Sequence, residues 1–142
     1  DNIKSAFEVQ KLAQRELSSR TEEIIEDFDI SSITSQKGSE LSGGQRRRVE
    51  IARSIALNPK FIMLDEPFAG IDPIAILELK KLIKKLSNKG LGILISDHNV
   101  KATMDICSEI FIISEGSIIS TGTPDEVSNN KLVKETYLGE ES

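Results

Sequence analysis

Leu41-Ser42-Gly43-Gly44-Gln45 is followed sixteen positions later by Phe61-Ile62-Met63-Leu64-Asp65-Glu66, and the reading of this pair decides the fold. Gly43 and Gly44 carry no side chain, so their amides can approach an anion closely. Ser42 adds a hydroxyl as a helix N-cap, and the first-turn N–H groups and the helix dipole point the same way. Residues 61 to 64 have the uninterrupted apolar character of a strand buried on both faces. Asp65 then stands at the carboxyl end of that strand, where ligands bind in open α/β sheets. A carboxylate there suits Mg²⁺, a hard ion that takes one or two carboxylates and keeps several waters. Glu66, one residue on, points elsewhere and can accept a proton from an attacking water or orient it. The first segment offers donors for phosphate oxygens, the second a metal ligand and a base. Each supplies what a nucleoside triphosphate site lacks without the other.

The rest of the chain continues that pattern. Residues 1 to 29 read as helical, with Leu17, Ile24, Ile25 and Phe28 on the apolar side and Glu22, Glu23, Glu26 and Asp27 on the wet side. Residues 31 to 39 are rich in Ser, Thr and Gly and read as a loop. The helix capped by Ser42 runs to about Leu57, where Asn58-Pro59 stops it. Asp72-Pro73 supplies an N-cap and a first-turn proline for a helix that stripes Leu79, Leu82, Ile83 and Leu86 along one side and ends at Gly90. Residues 92 to 96 form a second buried strand, and a short helix follows from Asn99. Residues 109 to 114 and 117 to 121 read as two strands joined at Glu115-Gly116, a hairpin signal. Thr123-Pro124 opens a last helical region reaching about Leu138. Strand alternating with helix from residue 60 onward predicts an α/β layer with a parallel sheet.

Composition narrows the function. At 142 residues the chain is one domain by size, long enough to bury a core. Net charge is −5 with 29% charged residues, which argues against a general nucleic-acid binder, whose footprint is basic. Arg46, Arg47 and Arg48 are a local exception and read as a solvated or interdomain face. The single cysteine, Cys107, excludes an internal disulfide framework and reads as a core hydrophobe among Ile106, Ile110 and Phe111. No apolar run approaches the roughly 18 residues that cross a bilayer, and no signal-peptide pattern opens the chain. The first residue is Asp1 rather than an initiator methionine, so a piece of something longer is expected.

In order and spacing, residues 41 to 45 and 61 to 66 resemble the signature and magnesium-binding motifs of the ATP-binding cassette (ABC) family. The likeness continues through Arg46-Arg47-Arg48-Val49-Glu50-Ile51-Ala52-Arg53. Ala69-Gly70-Ile71-Asp72 resembles the D-loop, which touches the opposite subunit near its phosphate site; helix capping is an equal role for Asp72. Ser96-Asp97-His98-Asn99 resembles the switch-histidine segment, whose imidazole senses the terminal phosphate. The resemblance implies ATP and Mg²⁺ as ligands. It places Leu41, Ser42, Gly43, Gly44, Gln45 and Asp72 on nucleotide, Asp65 on metal, and Glu66 with His98 in hydrolysis.

The family's P-loop, G-x-x-x-x-G-K-[ST], does not occur in these residues: Gly38 and Gly43 have the right separation, but Gly44 and Gln45 follow instead of Lys and Ser/Thr. A glutamine loop and an adenine-stacking aromatic are likewise missing. The expected fold is therefore the C-terminal portion of an ABC-type ATPase domain. Residues 1–58 would be its helical signature subdomain, and residues 59–142 the α/β core part with its hairpin and helices. In this family each ATP lies between the P-loop of one subunit and the signature of its partner, so the chain alone is expected neither to bind ATP tightly nor to turn it over.

Within the family, Glu66-Pro67-Phe68-Ala69-Gly70-Ile71-Asp72-Pro73, Asp97-His98-Asn99-Val100, Gly122-Thr123-Pro124 and Tyr137-Leu138-Gly139-Glu140 resemble the ATPases of bacterial lipopolysaccharide export. That likeness implies a homodimer on the cytoplasmic face of the inner membrane, attached only through transmembrane permease subunits. The ATPases of branched-chain amino-acid uptake share much of the C-terminal pattern, but the segment around His98 favours export. Two other classes stay open: the C-terminal head of a chromosome-maintenance ATPase, which needs coiled coils not seen before residue 41, and a non-catalytic interaction module. Intact Asp65, Glu66 and His98 speak against the latter.

Overall fold

The computed structural model of the chain describes residues 2–8 and 14–134. The expected helix end near Leu138 and the segment 137–140 lie outside them, as does the middle of the first helical stretch. The chain forms two compact units, Asp1–Ser96 and Asp97–Ser142.

In the first unit, helices α1 (Asn2–Glu8), α2 (Gln14–Asp27) and α3 (Gly43–Ile55) precede strand β1 (Phe61–Asp65), helix α4 (Pro73–Asn88) and strand β2 (Gly92–Ser96). Helix α3 packs on α1, α2 and α4. Its start is set locally: Ser42 Oγ accepts the Gln45 N–H, and the Gln45 side chain accepts the Ser42 N–H at 2.9 Å. This reciprocal capping box satisfies two donors that a helix end otherwise leaves without partners. Asn58 stops the chain in a left-handed conformation, φ +52°.

Helix α4 begins as its sequence requires. Asp72 Oδ1 accepts the Ala75 N–H at 2.9 Å, and Pro73 fills the first turn. Its buried stripe is Leu79, Leu82, Ile83 and Leu86, the set expected from periodicity. The loop 31–39 contains two single 3₁₀ turns, Ser31–Ile33 and Gly38–Glu40.

Strands β1 and β2 pair in parallel, Phe61 opposite Gly92 through Asp65 opposite Ser96. The expectation that both strands are buried on both faces is wrong for this chain. Ile62 is buried, but Phe61 is 55% and Met63 73% exposed, with Leu94 45% exposed beside them. Alternation along a strand puts Phe61, Met63 and Leu94 on one side of the sheet, and that side is largely exposed. An apolar run shows only that a strand carries no polar side chains; whether it is covered depends on its neighbours.

Asp27 is also corrected. Read as part of a wet face, it is half-buried and takes Lys89 Nζ at 2.6 Å and Lys85 Nζ at 2.9 Å, tying the end of α2 to the end of α4. Hydrogen bonds from Lys89 and then Lys85 hold its carboxyl below the usual carboxylate range. A depressed folded pKa stabilises above the unfolded value of 3.8 and is lost as pH falls through the folded value. Both lysines are about half exposed, so solvent screens the pair. Asp27→Asn should therefore cost about 1 kcal/mol at neutral pH. Urea titrations of both proteins should converge below pH 3.8; a gap unchanged in acid would place the loss in packing.

The second unit comprises α5 (Val100–Met104), β3 (Ile110–Ser114), β4 (Ser117–Gly122), α6 (Pro124–Ser128) and α7 (Lys131–Val133). Strands β3 and β4 form the expected antiparallel hairpin, with a register shift between Ile112 and Ile113. Glu115 and Gly116 turn with φ of +48° and +77°, the doubly left-handed geometry that matches strand twist. Ile110, Ile112, Val127 and Val133 form the buried cluster, and Met104, Cys107 and Ile119 pack against it. Burial pushes the Cys107 thiol pKa up, in keeping with a core role. Thr123 caps α6 by a second reciprocal box with Glu126.

Candidate functional site

The first unit builds one corner from three segments, one of them about twenty residues before the other two. The first is residues 41–45 at the start of α3, the second the Asp65-Glu66 end of β1, the third the Gly70-Ile71-Asp72 approach to α4. Their proximity follows from glycines. A Cβ built on Gly43 would lie 3.1 Å from Ile71 Cγ2 and 3.2 Å from the Gly70 carbonyl. One built on Gly44 would lie 2.6 Å from Ala75 Cβ, a distance side-chain carbons do not reach. Read from sequence as allowing an anion to approach, these glycines first allow α3 to approach the beginning of α4. As the first helical positions of α3, their own N–H groups have no partner inside the helix.

Gly44→Ala should cost about 1–3 kcal/mol, the usual range for overpacking. Ala75→Gly in the same chain should recover most of it, because the backbone at Gly44 is ordinary helix. Denaturant unfolding of the two single variants and the double variant checks this. A Gly44→Ala protein as stable as the parent would mean the corner yields.

Glu66 stands in an uncommon conformation. Its φ is +44°, in the left-handed region that non-glycine residues occupy only when the surroundings over-determine it, at a cost of about 1–3 kcal/mol. Here the surroundings do so. The Glu66 N–H donates to the Ser96 carbonyl at 2.7 Å, and the Glu66 carbonyl accepts the Ala69 N–H at 3.1 Å. Arg47 Nη2 reaches the same carbonyl at 3.2 Å, across nineteen residues of sequence. Such strain clusters at functional sites. Glu66 also precedes Pro67, a position where right-handed helical backbone is disfavoured; nothing else in the sequence signals its conformation.

The reading of Arg46, Arg47 and Arg48 as one solvated or interdomain face is corrected for two of them. Arg47 also pairs with Glu50 at 2.9 Å. Arg48, with only 16% of its side chain exposed, bridges Glu78 of α4 and lies 3.8 Å from Asp29. The last two members of the triplet face the chain itself because α3 packs against α2 and α4. Arg46 is exposed.

Asp65 is exposed at the end of β1, opposite Ser96 in register. Among the described residues no three His, Cys, Asp or Glu side chains gather as a metal cage. A single accessible hard carboxylate at the strand end fits Mg²⁺ bound with phosphate and water, and does not fit an all-protein site. The Asp72 carboxylate is engaged as the α4 cap. Leu41 is half-buried and lines, with Arg46, Val49 and Arg53, an open cavity of about 560 Å³. The Gln45 side chain folds back on Ser42, an arrangement the S-x-x-Q spacing signals but the sequence reading passed over.

His98 belongs to the second unit. Its ring is 74% exposed, and Nδ1 lies 3.9 Å from the fully buried Asp97 carboxylate. Asp97 Oδ1 accepts the Asn99 N–H at 2.8 Å, and Asn99 caps α5 through the Ala102 N–H at 3.0 Å. The turn thus presents the imidazole outward on a backbone anchored on both sides.

The chain is similar to known proteins along nearly its whole length. A family model described as ABC transporter matches residues 1–69, and one described as branched-chain amino acid ATP-binding cassette transporter matches residues 117–142. The chain is 51% identical over 142 residues to the lipopolysaccharide export system ATP-binding protein LptB of Haemophilus influenzae, and 46% identical to that of Escherichia coli K12. Each alignment covers 99% of the chain and 59% of the relative, so the chain spans well under two thirds of those proteins' length. Among solved structures, MJ1267, an ATP-binding cassette of an ABC transporter, superposes in its ADP conformation with a TM-score of 0.79 at 30% identity. That match covers 91% of the chain and 52% of MJ1267. The cbiO1 protein of Clostridium perfringens, part of the cbiONQ transporter complex, gives 0.80 at 30% identity, covering 94% of the chain and 55% of cbiO1.

Proposed function

The chain belongs to the ABC transporter family of ATP-binding proteins, and from that premise we propose that it is part of the ATPase that powers lipopolysaccharide export from a bacterial inner membrane. The family binds nucleotide; the residues that do so here are assigned by the corner described above. The N–H groups of Gly43 and Gly44 and the Ser42 hydroxyl receive the terminal phosphate of an ATP held by a second copy of the protein. Asp65 would hold Mg²⁺. When bound, the ion neutralises charge that develops on the transferring phosphoryl group. Glu66 accepts the proton of the attacking water, its carboxylate aimed by a backbone that three hydrogen bonds hold in place. His98 contacts the terminal phosphate, and Asp72 keeps the D-loop seated at the head of α4.

The observation that carries the reading is the left-handed, hydrogen-bonded Glu66 directly after a metal-suited Asp65 and in contact with the signature helix. The cargo rests on similarity along the whole chain to lipopolysaccharide exporters; the amino-acid-uptake likeness concerns the last segment alone. No helix among the described residues is long and apolar enough to cross a membrane, so the proposal assigns membrane passage to permease subunits, with the ATPase dimer on their cytoplasmic side. The test is the complete protein co-purified with its membrane subunits in vesicles. ATP-dependent extraction of lipopolysaccharide is expected. ATP hydrolysis stimulated instead by a branched-chain amino acid and its binding protein would move the chain to the uptake branch.

A further inference from the structure

Arg47 spends its guanidinium on two anchors. Nη1 meets Glu50 one turn along the same helix at 2.9 Å, and Nη2 meets the main-chain carbonyl of Glu66 at 3.2 Å. Glu50 thus occupies one end of the fork, and Arg47 addresses Glu66 through its peptide rather than as an ion pair to its carboxylate. That peptide is the one whose residue is held at φ +44°. The two other bonds on Glu66 come from Ser96 and Ala69, which lie on the neighbouring strand and the following turn. Arg47 reaches it from the helix that carries residues 42–45 at its start.

We propose that Arg47 is a positioning residue for Glu66: clamped by Glu50, it holds the Glu66 peptide in the left-handed conformation that aims the carboxylate, and so ties the placement of the base to the seating of the signature helix of the same chain. The proposal rests on Glu66 being the base. A planar fork with two ends is needed for this. Lysine offers one compact charge and cannot bridge Glu50 and the carbonyl in the same fixed geometry. Because α3 is the element whose first turn docks on a partner's phosphate, a shift of that helix pulls on the Glu66 carbonyl. Each subunit then senses at its own base whether its signature is engaged.

The test uses the complete protein with Arg47→Met, which keeps a stem of similar length, and with Arg47→Lys. Hydrogen exchange is read first, without nucleotide. Exchange of the Glu66 and Ala69 amides should quicken about tenfold or more while amides in the middle of α4 stay unchanged, the pattern of local rather than global opening. In hydrolysis, kcat should fall about tenfold or more with KM for ATP unchanged, the signature of a transition-state role. In a Glu66→Gln background, Arg47→Met should produce no further loss, since a residue acting only through the Glu66 carboxylate has nothing left to position. Glu50→Gln, which leaves the arginine in place but loosens its clamp, should give a smaller change in the same direction. Unchanged exchange at Ala69, or losses that multiply in the double variant, would overturn the proposal. Should the complete protein hydrolyse no ATP, the base assignment fails while the exchange result still decides whether Arg47 holds the peptide.

Discussion

Glu66→Gln in the complete protein is expected to slow ATP hydrolysis by about 10²–10⁴-fold, the usual contribution of a positioned general base. The substitution keeps the side chain's size and shape. The backbone bonds of Glu66 to Ser96, Ala69 and Arg47 do not use the carboxylate and stay available in the variant. ATP binding should therefore be retained, and an ATP-bound dimer should accumulate because closure no longer leads to turnover. Phosphate release, nucleotide binding and gel filtration with ATP measure the three parts. A rate near that of the parent protein would assign the base elsewhere, with His98 the first residue to examine.

Ser42→Arg is expected to abolish hydrolysis while leaving the ATP affinity of the isolated full-length subunit little changed. Ser42 lies at the tip of α3, exposed, with its Oγ turned to the Gln45 amide. A long cationic side chain there would stand between the helix tip and any phosphate arriving from a partner. It would also remove the cap, which typically costs about 1 kcal/mol. Ser42→Ala separates the steric block from the loss of the hydroxyl: its unfolding free energy should fall by about that amount, and closure should suffer less than in Ser42→Arg because the Gly43 and Gly44 N–H groups stay open to phosphate. Closure by Ser42→Arg as complete as in the parent would refute a role across the dimer. A collapse of single-subunit affinity would mean that the helix tip acts within its own chain.

Much of this site was legible because its signals are local. Ser42, Asp72, Asn99 and Thr123 were each readable as N-caps, and each accepts a backbone N–H three residues ahead. Such a bond needs only the right residue type at the right offset. The buried stripe of α4 and the turn at Glu115-Gly116 were equally readable, one from a 3.6-residue period and the other from the demand for two positive φ angles. The parallel pairing of β1 with β2 followed from strand, helix and strand in succession. Family membership followed from motif order, which the matched family models and relatives bear out.

Other features depend on which segments meet, and a linear pattern carries no record of that. Arg47 and Glu66 are nineteen residues apart, Arg48 and Glu78 thirty, Asp27 and Lys85 fifty-eight. In the sequence each is one charge among many on a helix face; packing of α3 between α2 and α4 turns them into anchors. Gly44 was readable as a residue without a side chain, but only the approach of Ala75 shows that the missing carbon makes room for a helix. The uninterrupted apolar run marked residues 61–64 as a strand buried on both faces, while Phe61 and Met63 emerged exposed because burial is a property of neighbours. The amino-acid sequence thus determined the elements and their caps, and it named the residues proposed for phosphate, metal and proton. Tertiary structure alone decided that Glu66 is left-handed and that the signature helix holds it there, since both depend on contacts whose partners are distant along the chain.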